Sequence, residues 1–230
     1  GSPRAGQGEG ERETGREREG MGVKGLKTYI ARSFSAAAKK ANLRKGDTLL
    51  IDGSGWVFKL LGDQGLEWGG DYGVIDKVTE LFIQRLTTAG VTPVVFSDGP
   101  IRRMKRHTAK KRLALAAERW AKLEGLCLDG SRTESYHGYP SPPLMSKQLY
   151  STLERLGVEV VECAEEADQA LAIACAEQSD GRAFVYGDDS DFFLFKDCKY
   201  VQMVAEDTQG TDGLTFDLAA GTVSCEYWTR

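Results

Sequence analysis

Along this chain, short runs of consecutive apolar residues alternate with longer stretches in which apolar positions recur every three or four residues. "DTLLID" (47–52), "VTPVVFSD" (91–98), "VEVVEC" (158–163) and "RAFVYGDD" (182–189) are rich in Val, Ile, Leu and Phe. Near-continuous apolar runs of this length are the pattern of strands buried on both faces of a parallel sheet. Between them, "YGVIDKVTELFIQRLTTAG" sets Val74, Val78, Leu81, Phe82 and Leu86 at helical spacing, with Gly90 as a stop. "SKQLYSTLERLG" predicts a helix capped by Ser146 and ended by Gly157. "EEADQALAIACAEQSDG" reads as an Ala-rich helix packed against the sheet, and Trp56 and Phe58 are expected in the core. Strands alternating with helices predict an α/β domain with a mostly parallel central sheet flanked by helices.

Two stretches break that rhythm. Residues 1–20, "GSPRAGQGEGERETGREREG", hold no aliphatic side chain larger than that of Ala5. Such a segment buries too little apolar surface to offset its ordering entropy, so it is expected to be a disordered leader or a vector-derived remnant. The folded domain is expected to run over residues 21–230. The second exception, "RRMKRHTAKKRLALAAERWAKLE" (102–124), has good helix formers, but its cations spread around much of the helix. A helix of that length reaches about 34 Å at 1.5 Å per residue. "CLDGSRTESYHGYPSPP" (127–143) is rich in Gly, Ser and Pro and reads as a loop. Together they predict a basic helical insertion, about residues 100–143, over the domain.

Composition adds bounds. With 230 residues, 41% hydrophobic and 28% charged, the chain has the make-up of an ordinary globular protein. No apolar run approaches the 18 or more residues of a membrane span. Its five cysteines form no CxxC pair, which favours a reducing compartment over a disulfide framework or a zinc site. The net charge of −4 conceals a strong segregation. Residues 102–122 carry nine Lys/Arg against one Glu, whereas 154–217 carry sixteen Asp/Glu against four Lys/Arg. A dipolar chain of this kind is compatible with a polyanionic partner despite its overall acidity.

The acids fall at particular places. Asp52 closes the first apolar run and Asp98 the second; Glu165, Glu166 and Asp168 follow the third, and Asp188, Asp189 and Asp191 the fourth. In an open parallel sheet the carboxyl ends of the strands lie along one edge, where ligands bind. Carboxylates sent there from four elements repel one another unless cations sit among them, and hard oxygen donors suit Mg²⁺ or Mn²⁺. Two such ions about 3.5–4 Å apart activate a water and stabilise the leaving oxygen of a phosphodiester. Histidine-based hydrolysis fits poorly, because His107 and His137 both lie in the basic insertion. No GxxxxGK[ST] occurs, which argues against a P-loop NTPase. A phosphatase with a DxD nucleophile also fits poorly, since Asp189-Ser190-Asp191 arrives late in the chain.

"MGVKGL" (21–26), "LLIDGSGWVFKL", "VVFSDGP", "EEADQALA" and "GDDSDFFLF" occur in the order and contexts of the flap endonuclease, or XPG-type, PIN-like nuclease family. Over roughly residues 21–204 the chain resembles that family, and within it the Asteroid homologues most. The resemblance implies metal ligation by Asp52, Asp98, Glu166, Asp168, Asp189 and Asp191. It implies two Mg²⁺ ions, with Mn²⁺ as a substitute, and scissile-phosphate contacts from Lys105 and Arg112. The insertion resembles the family's helical gateway, so Arg102, Arg103, Lys105, Arg106, Lys110, Lys111 and Arg112 are expected to contact nucleic acid. Trp120, Tyr136 and Tyr139 are placed either to stack on unpaired bases or to pack the loop.

Three departures from the family pattern stand out. Asp168 replaces the commoner glutamate. Twenty residues precede Met21, whereas the family exposes the Gly after that Met, here Gly22, near its active site. The family's helix–hairpin–helix element and last metal-binding aspartate have no counterpart in "TDGLTFDLAAGTVSCEYWTR", where Asp212 and Asp217 are candidates to substitute. The expected function is cleavage of DNA at single-stranded flaps or overhangs, in the nucleus if the substrate is DNA. The alternatives are a catalytically weak nucleic-acid-binding or scaffold protein and a PIN-like ribonuclease.

Overall fold

The computed structural model describes residues 38–63, 71–101, 103–128, 144–178, 180–203, 213–217 and 219–229, with Gly25, Leu26, Tyr29, Ile30 and Pro142 besides. The predicted leader, Met21, Gly22, Arg102, residues 129–141 of the predicted loop and Asp212 lie outside the described residues.

Each predicted apolar run forms a strand: β2 (Thr48–Asp52), β3 (Thr92–Ser97), β4 (Glu159–Glu162) and β5 (Ala183–Gly187), preceded by β1 (Lys39–Leu43) and followed by β6 (Tyr200–Gln202). Strands β2 to β6 make one sheet in the order β4-β3-β2-β5-β6, and every pairing in it is parallel. The pleat sends alternate residues to opposite faces. Leu49 and Ile51 of β2 and Phe184 and Tyr186 of β5 face one apolar cluster; Leu50, Ala183 and Val185 face the other. Helices α1 (Gly53–Asp63), α2 (Tyr72–Thr88) and α4 (Met145–Arg155) supply the first layer through Trp56, Ile75, Ile83, Leu86, Leu149 and Leu153. Helix α5 (Ala167–Glu177) covers the second through Ala167, Leu171 and Cys175. The architecture is the predicted α/β sheet with helices on both faces.

Several local expectations shift. The buried stripe of α2 is Ile75, Thr79, Ile83 and Leu86, while Leu81 is 45% exposed. A 3.6-residue period fixes the width of an apolar stripe better than its centre. Helix α4 starts at Met145, and Leu144, in the left-handed region at φ 69°, stands where Ser146 was expected to cap. Trp56 is buried as expected, but Phe58 is 52% exposed, because two positions along a helix turn it away from the core.

The C-terminal segment folds into β7 (Leu214–Asp217) and β8 (Thr222–Tyr227). With β1 they form an antiparallel sheet in the order β1-β8-β7, which pairs Lys39 with Tyr227 and Leu214 with Cys225. Its inner residues Leu43, Leu214, Val223 and Cys225 join the first cluster. Helix α3 (Arg106–Leu128), of 23 residues, follows a 3-10 turn at Arg103–Lys105. None of its described side chains is buried.

Candidate active site

Because the sheet is parallel, β2, β3, β4 and β5 all deliver their C-terminal ends to one edge. Asp52 is the last residue of β2, and Asp98 follows β3 directly. Glu166 is the N-cap of α5 and Asp168 lies in its first turn, after β4. Asp189 caps the 3-10 turn Ser190–Leu194 after β5, its Oδ1 accepting the Asp191 N–H at 2.9 Å. These placements match the expectation for five of the acids, and Asp191 is held beside Asp189 by that hydrogen bond.

Asp52, Asp98, Glu166, Asp168 and Asp189 lie near enough to act on one another's charge. Asp52 is 3% exposed. Burial, reinforced by the charges of Asp98 and Asp189, moves its ionisation from an ordinary 3.8 to about 7, against hydrogen bonds from the Gly55 and Ser54 N–H groups. Burial also raises Asp168 to about 7, aided by the charges of Asp189, Asp52, Asp98 and Glu166. A carboxyl that has lost water and gained like-charged neighbours is stabilised in its neutral form.

Local structure makes this crowding possible. A Cβ on Gly55 would overlap Asp52 Oδ2, so only glycine lets α1 begin against that carboxylate. Gly99 lies where a Cβ would overlap the Cys163 carbonyl, and its N–H donates to Glu165 O at 2.6 Å. That close approach ties the loop after β3 to the loop before α5. It brings Asp98 to the start of α5, where its Oδ1 accepts the Ala167 N–H at 2.8 Å. Its Oδ2 accepts the Ser54 hydroxyl at 2.7 Å. Asp98 thus also caps a helix that begins some seventy residues later.

Two polar side chains of the crevice escaped the sequence reading. Ser54 holds Asp98, and Tyr150 of α4 is hydrogen-bonded with Ser54. Burial, with the charges of Asp52 and Asp98, pushes the Tyr150 phenol up to about 12. Ser54 is signalled by its place two residues after a strand-end aspartate; nothing local marks Tyr150.

Of the expected phosphate contacts, Lys105 reaches the crevice, its Nζ lying 2.6 and 2.5 Å from the two Glu166 carboxylate oxygens. Arg112 stands about two turns further along the basic segment, exposed like Arg103, Arg106, Lys110 and Lys111. Asp217 accepts the N–H groups of Ala219 and Ala220, which makes it a turn residue.

Among the described residues, no three Asp, Glu, His or Cys side chains stand as placed around one metal position. The donor chemistry nevertheless fits a hard divalent cation, since the acids gathered there present carboxylate oxygens from neighbouring strand ends. Two of its acids, Asp52 and Asp168, are held up to about 7 by burial and like charge, the imbalance a cation relieves.

The XPG N-terminal domain matches residues 21–119. Single-strand DNA endonuclease ASTE1 of Danio rerio is 35% identical over 179 residues, 76% of this chain and 24% of that protein. The Homo sapiens protein of the same name is 29% identical over 180 residues, with the same two shares of 76% and 24%. Protein asteroid of Drosophila melanogaster is 29% identical over 188 residues, 80% of this chain and 20% of its own length. The chain therefore spans about a quarter or less of these relatives. The solved catalytic core of Rad2 in complex with DNA substrate shares the fold, with a TM-score of 0.50 at 16% identity over 87% of this chain and 52% of that one.

Proposed function

The chain belongs with the XPG-type nucleases, as a relative of the Asteroid proteins, and on that premise we propose that it is a metal-dependent nuclease. Its substrate on this reading is DNA with a single-stranded flap or overhang, and its place of action the nucleus. One observation carries the proposal: Asp52, Asp98, Glu166, Asp168 and Asp189 stand at or just after the C-terminal ends of neighbouring parallel strands, with Asp98 hydrogen-bonded both to Ser54 after β2 and to Ala167 at the start of α5.

Asp52, Asp98, Glu166, Asp168, Asp189 and Asp191 would hold Mg²⁺ or Mn²⁺, as the pair of ions that the resemblance implies. When bound, such ions supply activation of water and stabilisation of the leaving oxygen. The chain's own groups do the rest. Ser54 orients Asp98. Burial of Asp52 excludes bulk water from the foot of the crevice. The exposed cations of Arg103–Lys105 and α3 draw the phosphates of a polyanion toward the acidic edge. Lys105, already bridging the two regions, is the side chain best placed to meet the phosphate at the boundary.

Incubation of the purified protein with labelled flap, overhang and single-stranded DNA, each with Mg²⁺ or Mn²⁺ and matched against RNA strands, tests this reading. Metal-dependent DNA products are expected. A second reading, a nucleic-acid-binding protein with little catalysis, is favoured by the absence, among the described residues, of three donors placed around one metal position. Binding without products at enzyme excess selects it, and preferential cutting of RNA selects a ribonuclease.

A further inference from the structure

Away from the carboxylates, two cysteines that the nuclease reading does not use meet beneath α5. Cys175 lies in the last turns of that helix, and Cys198 in the segment between the 3-10 turn and β6. Both are buried, at 5% and 1% exposure, in the second apolar cluster. The two thiols are hydrogen-bonded to each other. The N–H of Lys199, the residue after Cys198, donates to Cys175 Sγ at 3.5 Å, and Ala183 O lies 3.5 Å from the same sulfur. The two chain segments are therefore in contact at the thiols, which is the first requirement for a bond between them.

We propose that Cys175 and Cys198 form an oxidisable dithiol, which hydrogen peroxide closes into a disulfide joining α5 to the segment before β6. The chemistry separates this pair from the other buried thiols. The thiol of Cys198, the backbone N–H of Lys199 and the Lys199 ammonium together favour the thiolate of Cys175 and lower its pKa. Burial instead pushes Cys225 up to about 11 and raises Cys163. Since the thiolate is the nucleophile, Cys175 reacts first. A cleft of about 300 Å³ between α5 and the chain after the 3-10 turn is lined by Gln169, Ala172, Ile173, Ala176, Phe195 and Lys196. Ala176 and Lys196 of its lining are chain neighbours of Cys175 and, two residues on, of Cys198, while the two thiols themselves lie on the buried side of the helix.

The steps balance. The Cys175 thiolate attacks one peroxide oxygen, the O–O bond breaks, and hydroxide leaves to become water with a solvent proton. Cys198 sulfur then attacks the sulfenic sulfur of Cys175; the S–S bond forms, the S–O bond breaks, and the departing hydroxide takes the Cys198 proton as a second water. Both sulfurs are oxidised by one electron each, and one peroxide is reduced to two waters. The closed loop contains β5, Asp188, Asp189 and Asp191, so the bond fastens the acid-bearing turn to α5, which carries Asp168 in its first turn.

The test uses the native chain, a few equivalents of hydrogen peroxide, alkylation of remaining thiols and digestion without reduction. The expected product is one cross-linked peptide pair, Cys175 with Cys198, two hydrogens lighter than the separate peptides and released by dithiothreitol. Cys163 and Cys225 in the same digest stay alkylatable. The oxidised protein is expected to melt higher than the reduced one and to exchange amide hydrogens more slowly over 188–200. Cys198→Ser should remove the cross-link and leave Cys175 as a sulfenic acid that dimedone captures. Recovery of both thiols unreacted, pairing of Cys175 with another cysteine, or over-oxidation without a disulfide would each overturn the proposal. The wild-type digest decides it whether or not the variant folds, and independently of any nuclease activity.

Discussion

Asp47 and Asp52 stand at opposite ends of β2, and both are nearly out of reach of solvent, at 5% and 3% exposure. Their surroundings differ. Asp47 Oδ1 accepts Arg182 Nε at 2.9 Å, and its Oδ2 accepts the Arg44 N–H at 2.8 Å. Arg182 also donates to the Lys45 carbonyl and lies against Gly46, where φ of +89° and the guanidinium leave no room for a side chain. The charge at this end of the sheet is neutralised by the fold itself. At the other end, Asp52 meets two backbone N–H groups and the like charges of Asp98 and Asp189. Burial of an acid is thus no mark of function; what distinguishes the two ends is the sign of the neighbours.

That contrast breaks most visibly at the acidic end. Replacing Asp189 and Asp191 together by Ala is expected to abolish metal-dependent cleavage while DNA binding persists or tightens. Retained cleavage in the purified double variant would remove the acids of β5 from the chemistry. The paired end should respond in the opposite way. Asp47→Ala strands Arg182, whose side chain is two-thirds withdrawn from solvent. The expected cost is about 3 kcal/mol of stability, read from the denaturant midpoint. Cleavage per folded molecule should not change, and a selective loss of activity would show that the two ends are coupled.

The smallest effect sharpens the comparison through pH. Asp52 ionises at 3.8 when unexceptional and at about 7 in the folded chain, so between those values the folded state binds the extra proton. Its contribution to stability in the metal-free protein therefore declines as pH rises from about 4 through about 7. Asp52→Asn should flatten that decline and stabilise the protein in chelator by roughly 2 kcal/mol at pH 8, with less gain toward pH 4. Equal effects at both pH values would mean that the charge of Asp52 is not what the fold opposes.

Much of this was legible before any coordinates. The runs that became β2 to β5 are local signals, and a parallel sheet turns their C-terminal ends to a common edge by geometry alone. The first and last strands of the antiparallel sheet were not. "KKANL" and "GTVSCEY" carry no apolar run of their own, and they became strands by pairing across nearly two hundred residues, as Lys39 does with Tyr227. Phe58 read as core because it is aromatic, but a helix has only one inner face. The hydrogen bond of Asp98 to the start of α5, the Lys105–Glu166 pair and the contact of Ser54 with Tyr150 have no sequence signature either.

By itself, then, the sequence determined the class of fold, the order of β2 to β5 along the chain and the placing of an acid at or after the end of each, since all of these follow from short-range patterns. Only the tertiary structure decided which acids are buried, which one caps a distant helix, and which cysteines touch. Those outcomes depend on side chains brought together by packing from far apart in the chain, and on the water removed around them, and neither is encoded in any single stretch.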